Sequence, residues 1–128
     1  MACLLIDYEN ESGKVLSGIS LIGLTRKDKI VIFYSKKAGK ITMDFHKELE
    51  KVKAKKEYEL VVTGYPSALD FQLSSYLGMC IHENPNEDYY IVSKDTGFEC
   101  VSRFWNSRGV SVKCINCPAD YVNAQSVL

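Results

Sequence analysis

Three carboxylates stand where they can do chemistry. Asp7 opens Asp7-Tyr8-Glu9-Asn10 directly after the apolar Leu4-Leu5-Ile6; Asp70 lies in Ala68-Leu69-Asp70-Phe71-Gln72-Leu73; Asp95 closes Ser93-Lys94-Asp95 after Ile91-Val92. A carboxylate at the end of an apolar strand is partly desolvated, and acids held together raise one another's pKa. A divalent cation removes that repulsion, and Mg²⁺ or Mn²⁺ prefers oxygen ligands. Asp7, Asp70 and Asp95 are therefore candidate metal ligands. A structural role competes for two of them. Asp70 would complement the positive end of a helix, worth about 0.3–1 kcal/mol, and Asp95 would serve as a helix N-cap.

These acids need elements to position them. Apolar runs rich in Val, Ile and Tyr predict five strands, at 2–6, 29–34, 58–63, 89–92 and 110–115. Most are continuously apolar, as for strands covered on both faces. Helical spacing links Val15, Leu16, Ile19 and Ile22; then Ile41, Phe45, Leu49 and Val52; then Leu69, Leu73, Tyr76, Leu77 and Cys80; then Phe98, Val101, Phe104 and Trp105. Trp105 is expected in the core. Gly13, Gly39, Gly64 and Gly109 punctuate element ends, and Pro66 suits the first turn of the third helix. Alternating strands and helices predict an α/β three-layer sandwich around a mostly parallel five-stranded sheet. In such sheets ligands bind beyond the carboxyl ends of the strands, the edge at which all three acids would stand.

The chain has 128 residues, 46% of them hydrophobic, which fits a single domain over 1–128 with 118–128 as a short helix or tail. No apolar stretch is long enough to cross a bilayer. The first seven residues lack a basic segment and reach an acid early, unlike a signal peptide. Five cysteines, an odd number, suit reduced thiols in the cytoplasm. Cys3, Cys80 and Cys100 are expected in the core. Cys114-Ile-Asn-Cys117 is a lone pair without the further ligands that a zinc site needs.

The 16 basic and 16 acidic residues cancel, but unevenly. Residues 12–56 hold twelve basic side chains against four acids, and residues 57–128 hold four against nine. A basic half beside an acidic half suits an anionic polymer laid against a metal-binding centre. Helix-face lysines that simply meet water are the competing reading.

Leu4-Leu5-Ile6-Asp7-Tyr8-Glu9-Asn10 resembles the opening strand of PIN-like nucleases, particularly the NYN branch with its Asp-x-x-Asn pattern. Ile91-Val92-Ser93-Lys94-Asp95-Thr96-Gly97-Phe98 resembles their Ser-x-Asp segment, and Asp70 resembles the middle acid at a helix start. With Val31-Ile32-Phe33-Tyr34-Ser35 the resemblance covers residues 1 to about 115. It implies strand order 3-2-1-4-5 and a metal-dependent endoribonuclease. Asp7, Asp70 and Asp95 would hold Mg²⁺ or Mn²⁺, and cleavage would leave 5′-phosphate and 3′-hydroxyl ends. Asn10 would hold a phosphate oxygen or a metal-bound water, and Ser93 would fix a carboxylate rotamer. The family often carries a further acid where this chain has Gly97, and Glu9 or Glu99 would have to substitute. Lys36, Lys37 and Lys40 are the expected phosphate contacts. Tyr8, Tyr34 and Tyr65 are candidate stacking surfaces for RNA bases, with single-stranded DNA as an alternative substrate; packing at the sheet edge is the competing reading for each. A homodimer or a regulatory partner protein would be compatible, and no membrane is called for.

Two other readings remain. One is a PIN-like module that binds RNA or protein without turnover. The other is a receiver-type or dehalogenase-type phosphoryl-transfer domain. Thr63-Gly64 at the third strand's end and the missing second aspartate in Asp7-Tyr8-Glu9 count against the latter.

Overall fold

The computed structural model describes residues 1–9, 14–62 and 64–126. Five strands, β1 (Ala2–Tyr8), β2 (Lys29–Tyr34), β3 (Lys55–Leu60), β4 (Asp88–Val92) and β5 (Val112–Ile115), form one sheet in the order β3-β2-β1-β4-β5. All four pairings are parallel. Helices α1 (Met43–Glu50), α2 (Ala68–Glu83), α3 (Glu99–Asn106) and α4 (Tyr121–Ser126) complete the layers. The expected three-layer α/β sandwich and its strand order are the observed ones.

Burial explains the central strand. All seven residues of β1 are buried. Alternation sends Leu4, Ile6 and Tyr8 toward the face covered by α1, and Cys3 and Leu5 toward the face covered by α2 and α3. Leu4, Leu5 and Ile6 are 0% exposed. Each contributes about 1.5–3 kcal/mol, which offsets the cost of carrying an acid in the same strand. The strand runs to Tyr8, so Asp7 lies within β1 rather than after it. Alternation points Asp7 to the α2 side.

Other elements also differ from expectation, and β5 begins at Val112, two residues later than its apolar run. The segment 15–22 forms two short 3-10 turns, Lys14–Leu16 and Ile19–Leu21, instead of one helix. Gly18 separates them at φ 78°, and a Cβ there would approach Ala119 Cβ to 3.1 Å. β3 starts and ends three residues early. It is an edge strand whose residues are all exposed or half-buried, so its apolar residues do not mark its limits. Pro66 precedes the third helix rather than entering it; the N-cap is Ser67, at φ 59°.

Candidate functional site

The order β3-β2-β1-β4-β5 reverses direction between β1 and β4, which pair through Ile6↔Val92. The crevice beyond that pair is the ligand position of open parallel sheets. Asp7, Glu9, Ser93 and Asp95 line a cleft there of about 180 Å³. α2 enters from the side, carrying Asp70 in its first turn.

Carboxylate oxygens of Asp7, Glu9 and Asp70 lie within 4.8 Å of one another. Oxygens across a hard cation stand about 4–5 Å apart, since each lies about 2.0–2.6 Å from the ion. Asp7 is 6% exposed. Ser93 Oγ donates to its Oδ2 at 2.6 Å, while Oδ1 is buried without a hydrogen-bond partner. Oδ1 of Asp70 is likewise buried and unpartnered. Unmade hydrogen bonds on buried carboxylates are costly, and a cation at this point would satisfy both oxygens. The donor set therefore fits an oxygen-preferring divalent ion.

Electrostatics agree. Burial pushes Asp7 up to about 6; the Ser93 hydroxyl and the nearby backbone N–H of Glu9 oppose the rise, and the Glu9 and Asp95 charges add to it. Burial, then the adjoining Asp95 carboxyl, then Asp7 and Glu9, push Asp70 up to about 7. Mutual repulsion of this kind is what a bound cation removes.

Asp7, Asp70 and Asp95 all meet at the cleft, but the three acids with oxygens within 4.8 Å of one another are Asp7, Glu9 and Asp70. Asp95 abuts Asp70, but its Oδ1 accepts from the Gly97 amide at 2.8 Å and caps the 3-10 turn Thr96–Phe98. Its cap role is thus realised alongside its place in the cleft. Glu9 completes the trio in its stead. A Cβ at Gly97 would come within 3.1 Å of Asp95 Oδ1, so the glycine leaves room for the cap. Glu99 is not with these acids. It lines a separate groove with Arg103 and Cys114 beside β5. Its two-residue offset from Gly97 crosses into α3 and turns it away. Asn10 lies outside the described residues.

Ser93 is 6% exposed, and its Oγ also accepts from Asp95 N at 3.0 Å, so one hydroxyl links both acids. Lys36, Lys37 and Lys40 are exposed just past β2, on the same sheet edge as Asp7. Tyr65 is 83% exposed. The stacking expectation for Tyr8 is corrected: its ring is buried in the core, and its hydroxyl donates to Lys40 O at 2.5 Å. Tyr34 and Trp105 pack against the core, each partly buried. Cys100 is also corrected, being exposed while Cys3 and Cys80 are buried. Two cations were missed: Lys14 and Lys94 line the acidic cleft. Lys94, between Ser93 and Asp95, was the more findable.

Acids at the carboxyl ends of parallel strands, in a 3-2-1-4-5 sheet, define a nuclease-type α/β domain with a cluster able to bind metal. The PIN domain model matches residues 1–115, and the chain belongs to that family. No curated protein matches it. Among the described residues no helix is long and apolar enough to cross a membrane.

Proposed function

We propose that the protein is a Mg²⁺- or Mn²⁺-dependent endoribonuclease that hydrolyses phosphodiester bonds to 5′-phosphate and 3′-hydroxyl ends. One observation carries this reading: two buried, unpartnered carboxylate oxygens, from Asp7 and Asp70, converge with Glu9 within ion-bridging reach. The bound ion supplies a Lewis acid that activates water and offsets charge on the phosphate. The chain's own residues do the rest. Asp7, Glu9 and Asp70 hold the ion, with Asp95 against them. Ser93 locks the Asp7 rotamer through Oγ. Lys14 and Lys94 face the scissile phosphate from the cleft wall. Lys36, Lys37 and Lys40 receive the flanking backbone, and Tyr65 offers an exposed ring to an unpaired base. The setting that suits this activity is the cytoplasm, and a homodimer or regulatory partner is compatible with it.

The test is incubation of purified protein with labelled RNA and DNA in Mn²⁺. Asp7→Asn is expected to abolish cleavage while the protein stays folded by circular dichroism. Cleavage that survives this substitution, or excess chelator, overturns the reading. The engagement of Asp95 Oδ1 as a cap favours a second reading, a PIN domain that binds RNA without turnover. Intact RNA bound in the presence of Mn²⁺ would support it.

A further inference from the structure

We propose that a single-stranded polynucleotide lies along the free edge of β3, its phosphates held by basic clusters at both ends of that strand and a base stacked on Tyr58 between them. The proposal shares the polynucleotide ligand of the preceding reading but needs no turnover.

β3 is the last strand on its side of the sheet. Lys55 N donates to Asp28 O and Val61 N to Tyr34 O, so alternate residues turn their main chain to β2. By the same alternation Lys56, Tyr58 and Leu60 turn theirs outward. Their side chains share the α1 side of the sheet. Glu57 and Glu59 lie on the other side, and Glu57 is already tied to Lys29 at 3.1 Å and to the Tyr76 hydroxyl at 2.8 Å. The edge therefore shows its acids away from the side that Tyr58 occupies.

The basic half of the sequence divides between the two ends of this edge. At the carboxyl end stand the exposed Lys36, Lys37 and Lys40. At the amino end Arg26, Lys27, Lys53 and Lys55 are exposed. Arg26, Lys27 and Lys55 line one cleft of about 200 Å³. Lys55 is paired with Glu57 at 3.3 Å, but Arg26, Lys27 and Lys53 have no ion pair among the described residues. Asp28, in the same loop, is anchored by Ala2 N at 2.7 Å and Thr25 N at 2.8 Å and offsets one of these charges, which leaves this end basic through Arg26, Lys27 and Lys53. Glu83 and Glu87 line the same cleft on the α2 side, so a polyanion would meet Arg26, Lys27 and Lys53 from the free edge of the sheet and not from within the cleft.

Between the clusters, Tyr58 is 56% exposed. With Tyr34 and Lys40 it borders an apolar hollow of about 120 Å³, where one face of a base can rest. Six residues of strand span about 20 Å, or about six stacked nucleotides at 3.4 Å each. Unpaired cations hold phosphates irrespective of sequence, and a tyrosine ring accepts any base.

The test measures binding by fluorescence anisotropy of labelled 20-nucleotide oligouridine and oligodeoxythymidine, in chelator so that nothing is cut, from low to high salt. Single-strand binding loses about 0.7 in log–log salt slope per phosphate contact removed. The variant Arg26→Gln/Lys27→Gln/Lys53→Gln should lower the slope by about 2 and weaken binding roughly a hundredfold at 0.1 M salt, for both polymers. Tyr58→Ala should weaken binding about tenfold with the slope unchanged. An unchanged slope in the triple variant overturns the proposal, as does wild-type protein that binds neither polymer. Wild type that binds with the expected slope but leaves RNA intact in Mn²⁺ sinks the nuclease reading and leaves this one standing. Normal cleavage with an unchanged slope in the triple variant does the reverse.

Discussion

Two aspartates at opposite ends of the central strands show what each end is for. Asp28, at the amino end, accepts hydrogen bonds from Ala2 N, Thr25 N and Thr25 Oγ1. Asp7, at the carboxyl end, keeps one oxygen buried and unpartnered. The first carboxylate is consumed in holding the loop before β2 to the start of β1. The second carries an unmade hydrogen bond, a cost in stability that a proton or a cation would relieve. A satisfied acid is architecture; an unsatisfied buried one asks for a partner.

The contrast can be broken most forcefully at Asp7. Asp7→Asn should take metal-dependent cleavage below detection, a loss of more than about a thousandfold or about 4 kcal/mol of transition-state stabilisation, whereas Asp28→Asn should leave the rate within a fewfold of wild type. Steady-state kinetics on labelled RNA checks both. Next in size, Mg²⁺ or Mn²⁺ at a hundred times its dissociation constant should stabilise the wild-type fold by about 2.7 kcal/mol, and Asp7→Asn/Asp70→Asn should lose this gain; calorimetry with and without chelator decides. Asp28→Ala should cost about 1–3 kcal/mol in urea denaturation, because the amides of Ala2 and Thr25 lose their acceptor.

The pH response sharpens the same comparison. Folding raises Asp7 from 3.8 to about 6 and Asp70 to about 7. Between pH 4 and 7 the folded protein therefore binds protons that the unfolded chain has released. Stability of the ion-free protein should fall as pH rises through that window and level off above it. Added Mg²⁺ should stabilise progressively more over the same interval, because the ion takes the deprotonated carboxylates. Denaturation midpoints at pH 5 and pH 8, with and without Mg²⁺, test the sign. The smallest effect concerns the amino end again: Tyr76→Phe removes the hydroxyl that donates to Glu57 and should cost about 0.5–1.5 kcal/mol without changing the cleavage rate.

β2 was legible residue for residue, because Ile30-Val31-Ile32-Phe33 is buried on both faces and bounded by polar residues. β3 was displaced because an edge strand needs no continuous apolar run, and its entry is marked instead by the buried Val52 and Ala54. The edge that carries the site followed from strand ends alone, which is why Asp7, Asp70 and Asp95 were all singled out. The distribution of roles among the acids did not follow. It depends on a side-chain rotamer, the turn of Asp95 Oδ1 toward the Gly97 amide, and on how far β1 continues toward Glu9. The burial of Tyr8 was equally hidden, since it follows from alternation in a strand two residues longer than its aliphatic run suggests.

The side-chain amide of Gln72 accepts from Val62 N at 3.0 Å and donates to Val62 O at 2.7 Å, two residues along α2 from Asp70. The clasp ties the segment just past β3 to the first turns of the helix that bears the acid. A polymer seated on that flank, as proposed above, would therefore press on a segment already fastened to the start of the helix that carries Asp70.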